Sequence, residues 1–77
     1  MHQLLETVAL THDLPAQGLC LGDVGTVVEV LAPDAFEVEF VAASGRTQAL
    51  VTVSGADIRP LGDKDIISVR SLAATET

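Results

Sequence analysis

The residues that could do chemistry in this sequence are few, and they lie far apart. His2 and His12 could bind a metal ion or transfer a proton, and Asp13 follows the second histidine. A structural zinc site uses four ligands, usually cysteines and histidines in closely spaced pairs. With a single cysteine and two separated histidines, the sequence predicts neither a metal site nor another cofactor, and His12 with Asp13 is interpreted as a loop cap.

The cysteine and the serines also lack the neighbours that nucleophilic catalysis needs. Cys20 lies between two leucines, whereas a reactive thiolate needs a positive charge or a helix N-terminus beside it. No serine lies in a nucleophile elbow, and the pair Gly22 and Gly25 is not followed by the lysine of a phosphate loop. Glu37 and Glu39 alternate along one strand, where carboxylates are normally hydrated. The sequence therefore predicts a protein that is not an enzyme.

The charge of the chain restricts its partners. Eleven acidic residues face four basic ones, which gives a formal net charge of −7. Nucleic acids and anionic membranes select basic surfaces, so neither is an expected partner. A basic protein matches the sign, and the alternative is that the acidic surface only promotes solubility. No apolar run approaches the roughly 20 residues that cross a bilayer, and no signal-peptide pattern opens the chain. A cytoplasmic location is the expectation.

Short strands must position these side chains. The chain is organised around residues 22–31, where a Gly-Asp turn leads into a strand rich in valine. In 36–41, Phe36, Val38 and Phe40 alternate with glutamates, which is typical of a half-buried strand. Strands are predicted at 4–11, 24–31, 36–41, 47–53 and 58–61, with a helical turn over 54–57 and Pro60 on an edge strand. The loop over 12–23 is expected to fold over one end of the core. A short helix is the alternative at 4–11.

Five strands joined by short turns, with no long helix, predict an all-β fold. We expect a small five-stranded, partly open Src-homology-3-like barrel over residues 1–61. Residues 62–77 form a predicted C-terminal extension, a short strand or a flexible tail. Within it, residues 66–69 could add a short strand or dock on a partner, and residues 71–77 are predicted to be a frayed tail. A domain of this size buries only roughly 60% of its unfolded surface, so a partner or a second copy of the chain would add stability.

One combination of segments is more specific than any of its parts: 5–10, 13–15, 18–19, 22–30, 36–40, 49–53 and 57–61. Together they resemble the small bacterial family called domain of unknown function 4926. The resemblance covers roughly residues 4–61 and carries no established activity. Members look like small stand-alone proteins, which implies that they serve a genomic neighbour. Gly22-Asp23 and Gly25-Thr26-Val27 also resemble the KOW motif of ribosomal proteins, but the basic residues which that motif uses on RNA are missing.

The remaining signal concerns the surface. If Val28 and Val30 face the core, the residues between and beside them face solvent. An exposed apolar patch rimmed by glutamates is a candidate partner site. The predicted partner surface comprises Val27, Glu29, Leu31, Glu37, Glu39, Leu50, Ile66 and Ile67. The alternative is that the extension folds back over the patch within one chain.

These observations predict a non-catalytic protein–protein interaction module, of the kind that an antitoxin or immunity protein presents to a neighbouring protein. A homodimer through an edge strand or through the extension is compatible with it. The alternative function is that of an RNA- or ribosome-associated, KOW-like barrel, which salt-sensitive RNA binding would reveal.

Overall fold

The computed structural model describes residues 2–72, and they form one antiparallel sheet of five strands. The strands are β1 (Thr7–Leu10), β2 (Val24–Ala32), β3 (Ala35–Val41), β4 (Thr47–Val53) and β5 (Ile58–Pro60). Their order in the sheet is β4-β3-β2-β1-β5, so β4 and β5 are the two edges and the sheet is open between them. The predicted all-β, partly open fold is confirmed, and Pro60 lies on an edge strand as expected.

The sheet curls around a core of aliphatic and phenylalanine side chains. Phe36, Val38 and Phe40 are all buried, as the alternation in β3 predicted. Gly25 of β2 lies under this layer: a Cβ atom there would approach side-chain atoms of Phe40 and Val38 to 2.8 Å. The other core residues come from every part of the sheet and from the first loop: Val8, Leu10, Leu19, Val27, Val51, Val53 and Ile58.

A β-bulge on β2 overturns one prediction. Val27 pairs with Val38, but the next pair along the strands is Glu29 with Glu37, so Val28 is an extra residue on β2. Because one added residue exchanges the two faces of a strand, the alternation does not run unbroken through β2. Val27 is fully buried, and its predicted position on the outer surface was wrong.

Beyond the bulge the inner face continues with Val30. This residue pairs with the buried Phe36, so it shares the inner face as predicted. It nevertheless remains 44% exposed, since it lies close to the tip of the hairpin, where Ala32 and Ala35 form the last pair.

The first strand is shorter than the predicted 4–11. It begins at Thr7, because Leu4 and Leu5 form a turn and Leu5 has a positive φ of 66°. The amide of Leu5 donates to the carbonyl of Val27 at 2.6 Å. A non-glycine residue in this conformation ends the extended backbone, so both leucines remain exposed.

The loop between β1 and β2 contains a 3-10 turn at Pro15–Gln17 and folds over one end of the core as predicted. Leu19 is buried and Leu14 packs partly against the core, but Leu21 is exposed. A second 3-10 turn at Gly55–Asp57 leads into β5, where the helical turn was predicted. Within the described residues, no helix has the length and apolar character that crossing a membrane requires.

The extension is irregular as far as it is described. Residues 61–72 contain no strand, so the short strand at 66–69 does not form. Two arginine–aspartate ion pairs attach the segment to the rest of the domain: Asp65 with Arg59 on β5, and Arg70 with Asp23 at the end of the first loop. Most of the predicted frayed tail at 71–77 lies outside the described residues.

Candidate functional site

The outer face of β2, β3 and β4 carries half of the predicted partner surface. Cross-strand partners project from the same side of a sheet, so the register defines two rows of outward side chains. One row is Thr26, Glu39 and Leu50, and the next is Glu29, Glu37 and Thr52. We call Glu29, Glu37, Glu39 and Leu50 the acidic face.

Two carboxylates of the acidic face oppose each other directly. Glu29 on β2 pairs with Glu37 on β3, and like charges at opposed positions destabilise a sheet. Glu39 instead has a hydrogen-bond partner, since its Oε2 accepts from the Thr47 hydroxyl at 2.5 Å. Among the described residues, the ion pairs all involve other acidic groups, so no cation compensates the Glu29–Glu37 pair.

An apolar side chain adjoins this charge. Leu50 is directly opposite Glu39 and is 54% exposed. Leu31 lies near the hairpin tip, where a second register shift separates Val30 from Ala32. It is 48% exposed, as the prediction required. Leu50 therefore adds an apolar contact surface to the acidic face.

The remaining predicted residues lie in a different region. Ile67 lines a groove of about 400 Å³ between the extension, the first loop and the β3–β4 hairpin. The groove also contacts the core residues Leu19 and Phe40 and the edge residue Gln48. Ile66 is 91% exposed. The predicted surface is therefore divided between the acidic face and the extension.

An ion pair forms part of the lining of the groove. The Arg70 guanidinium donates from Nε and Nη2 to the two carboxylate oxygens of Asp23, at 2.8 and 2.6 Å. It also donates to the carbonyl of Gly18 at 3.1 Å. These hydrogen bonds hold the pKa of Asp23 below its usual 3.8 and raise the pKa of Arg70. Through these hydrogen bonds, Arg70 attaches the extension to the first loop.

His12 belongs to a second polar cluster, at the start of β5. Its Nε2 lies 2.6 Å from Oδ1 of Asp57, and its Nδ1 lies 2.9 Å from the carbonyl of Asp13. The hydrogen bond with the Asp57 carboxylate raises the pKa of His12 above 6.5, and the same bond lowers the pKa of Asp57. The Ser54 hydroxyl donates to Asp57 rather than to the imidazole. The arrangement closes a loop, which fits the interpretation of His12 as a cap.

Other candidate residues have structural surroundings. The amide of Cys20 donates to Asp23 at 2.8 Å, and its side chain is half-buried. His2 packs edge-on against Phe36 with ring centroids 5.4 Å apart, and its Nδ1 lies 3.3 Å from Glu6. Among residues 2–72, no group of three or more histidine, cysteine or acidic side chains is arranged to hold a metal ion.

Two features were missed by the sequence reasoning. Asp23 and Arg70 are 47 residues apart, and no local spacing connects them. The second missed feature is the open edge of β4. The sequence contains a trace of it, since residues 47–53 include no charged residue and no proline, but only the strand order shows that β4 is an edge.

The comparisons with known proteins agree with this fold boundary. A family profile described as "Domain of unknown function (DUF4926)" matches residues 4–60. The chain belongs to this family. The DUF4926 match includes all five strands and ends at Pro60, so the extension lies outside it. Neither the curated proteins nor the solved structures produced a match. The resemblance that the sequence suggested is confirmed, and the family description assigns no activity.

Proposed function

We propose that this protein is a non-catalytic interaction module whose acidic face binds a basic protein. One observation carries the proposal: Glu29 and Glu37 are opposed without a compensating cation among the described residues, beside the exposed Leu50. Such a pair costs stability in the free domain. A basic side chain from a partner would neutralise the repulsion between these two carboxylates. Part of the binding free energy therefore comes from removing a repulsion that is present in the free domain.

The net charge also favours a basic partner. At −7 the whole chain attracts a basic partner and accelerates its approach, while the acidic face determines where the partner docks. An antitoxin or immunity-type role in the bacterial cytoplasm, against a neighbouring protein with a basic surface, is the biological form that we propose. The KOW-like alternative has less support, because two of the four basic side chains, Arg59 and Arg70, are already paired with aspartates.

Affinity capture from the native cell extract tests the proposal. We expect the tagged full-length protein to retain one dominant, stoichiometric protein with a basic surface, identified by mass spectrometry. Glu37→Lys should abolish the capture. Asp63→Lys is the matched control, since it changes the net charge equally on the exposed extension, and it should retain the partner.

Two results would contradict this function. The first is equal capture by both charge-reversal variants, which would exclude the acidic face as the docking site. The second is an empty capture from folded protein, together with salt-sensitive RNA binding, which would favour the RNA-associated alternative.

A further inference from the structure

The edge of β4 that points away from β3 is an unused hydrogen-bonding surface. β4 is the last strand of the sheet, and it is seven residues long. Alternate backbone groups of an edge strand point outwards. Among the described residues, no backbone hydrogen bond reaches this edge from another segment. We call it the free edge.

Natural edge strands are short, or they carry charges, proline, a β-bulge or a covering segment. β4 has one such feature, a bulge at Gln48, because Ala49 pairs with Phe40 and Thr47 pairs with Val41. The bulge interrupts only the start of the free edge, and residues 49–53 pair with β3 in unbroken register. β4 contains the uncharged sequence Thr-Gln-Ala-Leu-Val-Thr-Val. Its side chains therefore oppose an incoming strand neither by repulsion nor by a missing backbone donor.

The surroundings of the free edge indicate the chemistry of the added strand. Its outward side chains would stand beside Leu50 and Thr52, which are opposite Glu39 and Glu37 on β3. Neighbouring strands are about 4.8 Å apart, so an added strand would lie roughly 10 Å from β3. A lysine of the added strand and a glutamate of β3 can together span that distance. The aliphatic part of the lysine side chain would lie over the β4 residue between them, and its ammonium group would reach the glutamate carboxylate.

The opposite side of the added strand meets apolar surroundings. The inward residues Val51 and Val53 are nearly buried, and the groove of about 400 Å³ begins beside Gln48 at the start of β4. Basic residues at alternate positions, separated by small apolar ones, fit both sides. A second copy of this chain fits less well, because antiparallel pairing of two β4 strands would place two acidic faces on one continuous sheet.

We propose that the partner adds an extended, basic segment to the free edge of β4 as a sixth strand, with alternate lysine or arginine side chains over the acidic face. This inference rests on the proposed function and specifies how that partner docks. Backbone hydrogen bonds supply affinity in such complexes, and the alternating side chains supply specificity.

The test uses the full-length, isotope-labelled protein and a blocked nine-residue peptide in which lysine and valine alternate. We expect saturable, salt-sensitive binding. We also expect slower hydrogen exchange of those β4 amides that point away from β3, with no change at the amides of Ile58 and Arg59. A peptide of the same composition with its lysines and valines in two separate blocks, and a peptide with glutamate for lysine, are controls that should not bind.

A matched pair of variants tests the role of charge at the edge. Thr52 is exposed and adjoins Glu37, so Thr52→Lys and Thr52→Glu differ mainly in sign. We expect Thr52→Lys to weaken peptide binding by about tenfold and Thr52→Glu to strengthen it. Equal effects of the two variants would overturn the predicted position of the basic side chains.

Three other results would overturn the inference. They are the absence of peptide binding, binding without slower exchange in β4, and self-association of the free protein that already protects the β4 amides. The proposed function has a separate readout, the capture of a protein that depends on Glu37. If that capture succeeds while β4 shows no protection, only strand addition fails; if the capture also fails, so does the proposed function.

Discussion

The two edges of the sheet differ in how they are protected. β5 has only three residues, which include Pro60 and Arg59, and the Arg59 guanidinium donates to both carboxylate oxygens of Asp65 at 2.9 and 3.1 Å. β4 has seven residues without charge or proline, and among the described residues no backbone group covers it. One edge is closed to further strands and the other is available for pairing.

The difference also concerns which forces hold each edge. The start of β5 is tied to the first loop by polar contacts: His12 with Asp57, and Thr11, which donates from its hydroxyl to the carbonyl of Ala56 at 2.8 Å. β4 is held by pairing with β3, by the burial of Val51 and Val53, and by the hydrogen bond from the Thr47 hydroxyl to Glu39. The side-chain contacts between the start of β5 and the first loop are thus polar and include the His12–Asp57 pair, whereas at β4 the burial of valines adds to backbone pairing.

The largest expected effect comes from a core residue that both edges need. Phe36→Ala should lower the free energy of unfolding by about 3–5 kcal/mol, because it removes a side chain that is only 1% exposed. Urea denaturation measures this loss, and amide exchange should show both edges opening together. Leu50→Ala is the control on β4 and should cost less than about 1 kcal/mol. If amide exchange in Phe36→Ala became faster at only one of the two edge strands, the result would contradict a core that both edges share.

Crowding at Gly25 should have the next largest effect. A Cβ atom there would lie 2.8 Å from Phe40 and 2.9 Å from the backbone oxygen of Glu39, which cannot move away as a flexible side chain could. Gly25→Ala should therefore cost about 1–3 kcal/mol through overpacking. Gly45→Ala is not an equivalent control, since its φ of 91° disfavours any side chain. Gln48→Ala, at an exposed position, is a suitable control. Equal losses of unfolding free energy in Gly25→Ala and Gln48→Ala would contradict close packing around Gly25.

Removal of one opposed charge should stabilise the free protein. Glu37→Gln keeps the side-chain size and abolishes the repulsion with Glu29, so we expect a gain of about 0.2–1 kcal/mol that decreases at high salt. Denaturation at two ionic strengths measures it, with Asp63→Asn as the control. Capture of the partner should weaken in Glu37→Gln. A lower free energy of unfolding in Glu37→Gln would contradict the proposal that repulsion between Glu29 and Glu37 destabilises the free protein.

The protected edge should respond to pH. The raised pKa of His12 means that its contribution is complete below 6.5 and is lost as pH rises through the folded value. The lowered pKa of Asp57 means that its contribution is complete above 3.8 and is lost as pH falls through the folded value. The contact should be strongest between these two pH values.

Thermal denaturation of the wild type and His12→Gln from pH 3 to 9 tests this contact. The difference in Tm should be largest near about pH 5 and should decrease on both sides. Exchange of β4 amides should not follow the same profile, because β4 has no part in the contact. A Tm difference that is constant across the pH range would contradict the ionic origin of the stabilisation.

Much of the fold could be predicted because strands repeat locally. The alternation of Phe36, Val38 and Phe40 is a property of one short segment, and burial of these side chains followed. Val27 could not be placed in the same way, because the bulge at Val28 depends on pairing with β3. Half of the predicted surface, Glu29, Glu37, Glu39 and Leu50, lies together on the outer face.

By itself, the sequence determined the all-β class, the approximate positions of the strands, the acidic character and the family. These follow from composition and from local alternation, which need no long-range contact. Only the tertiary structure decided that Arg70 is bound to Asp23, that the extension forms no strand in its described part, and that β4 is an edge. Each of these depends on which distant segments meet, and backbone pairing between distant strands leaves no periodic mark on either strand alone.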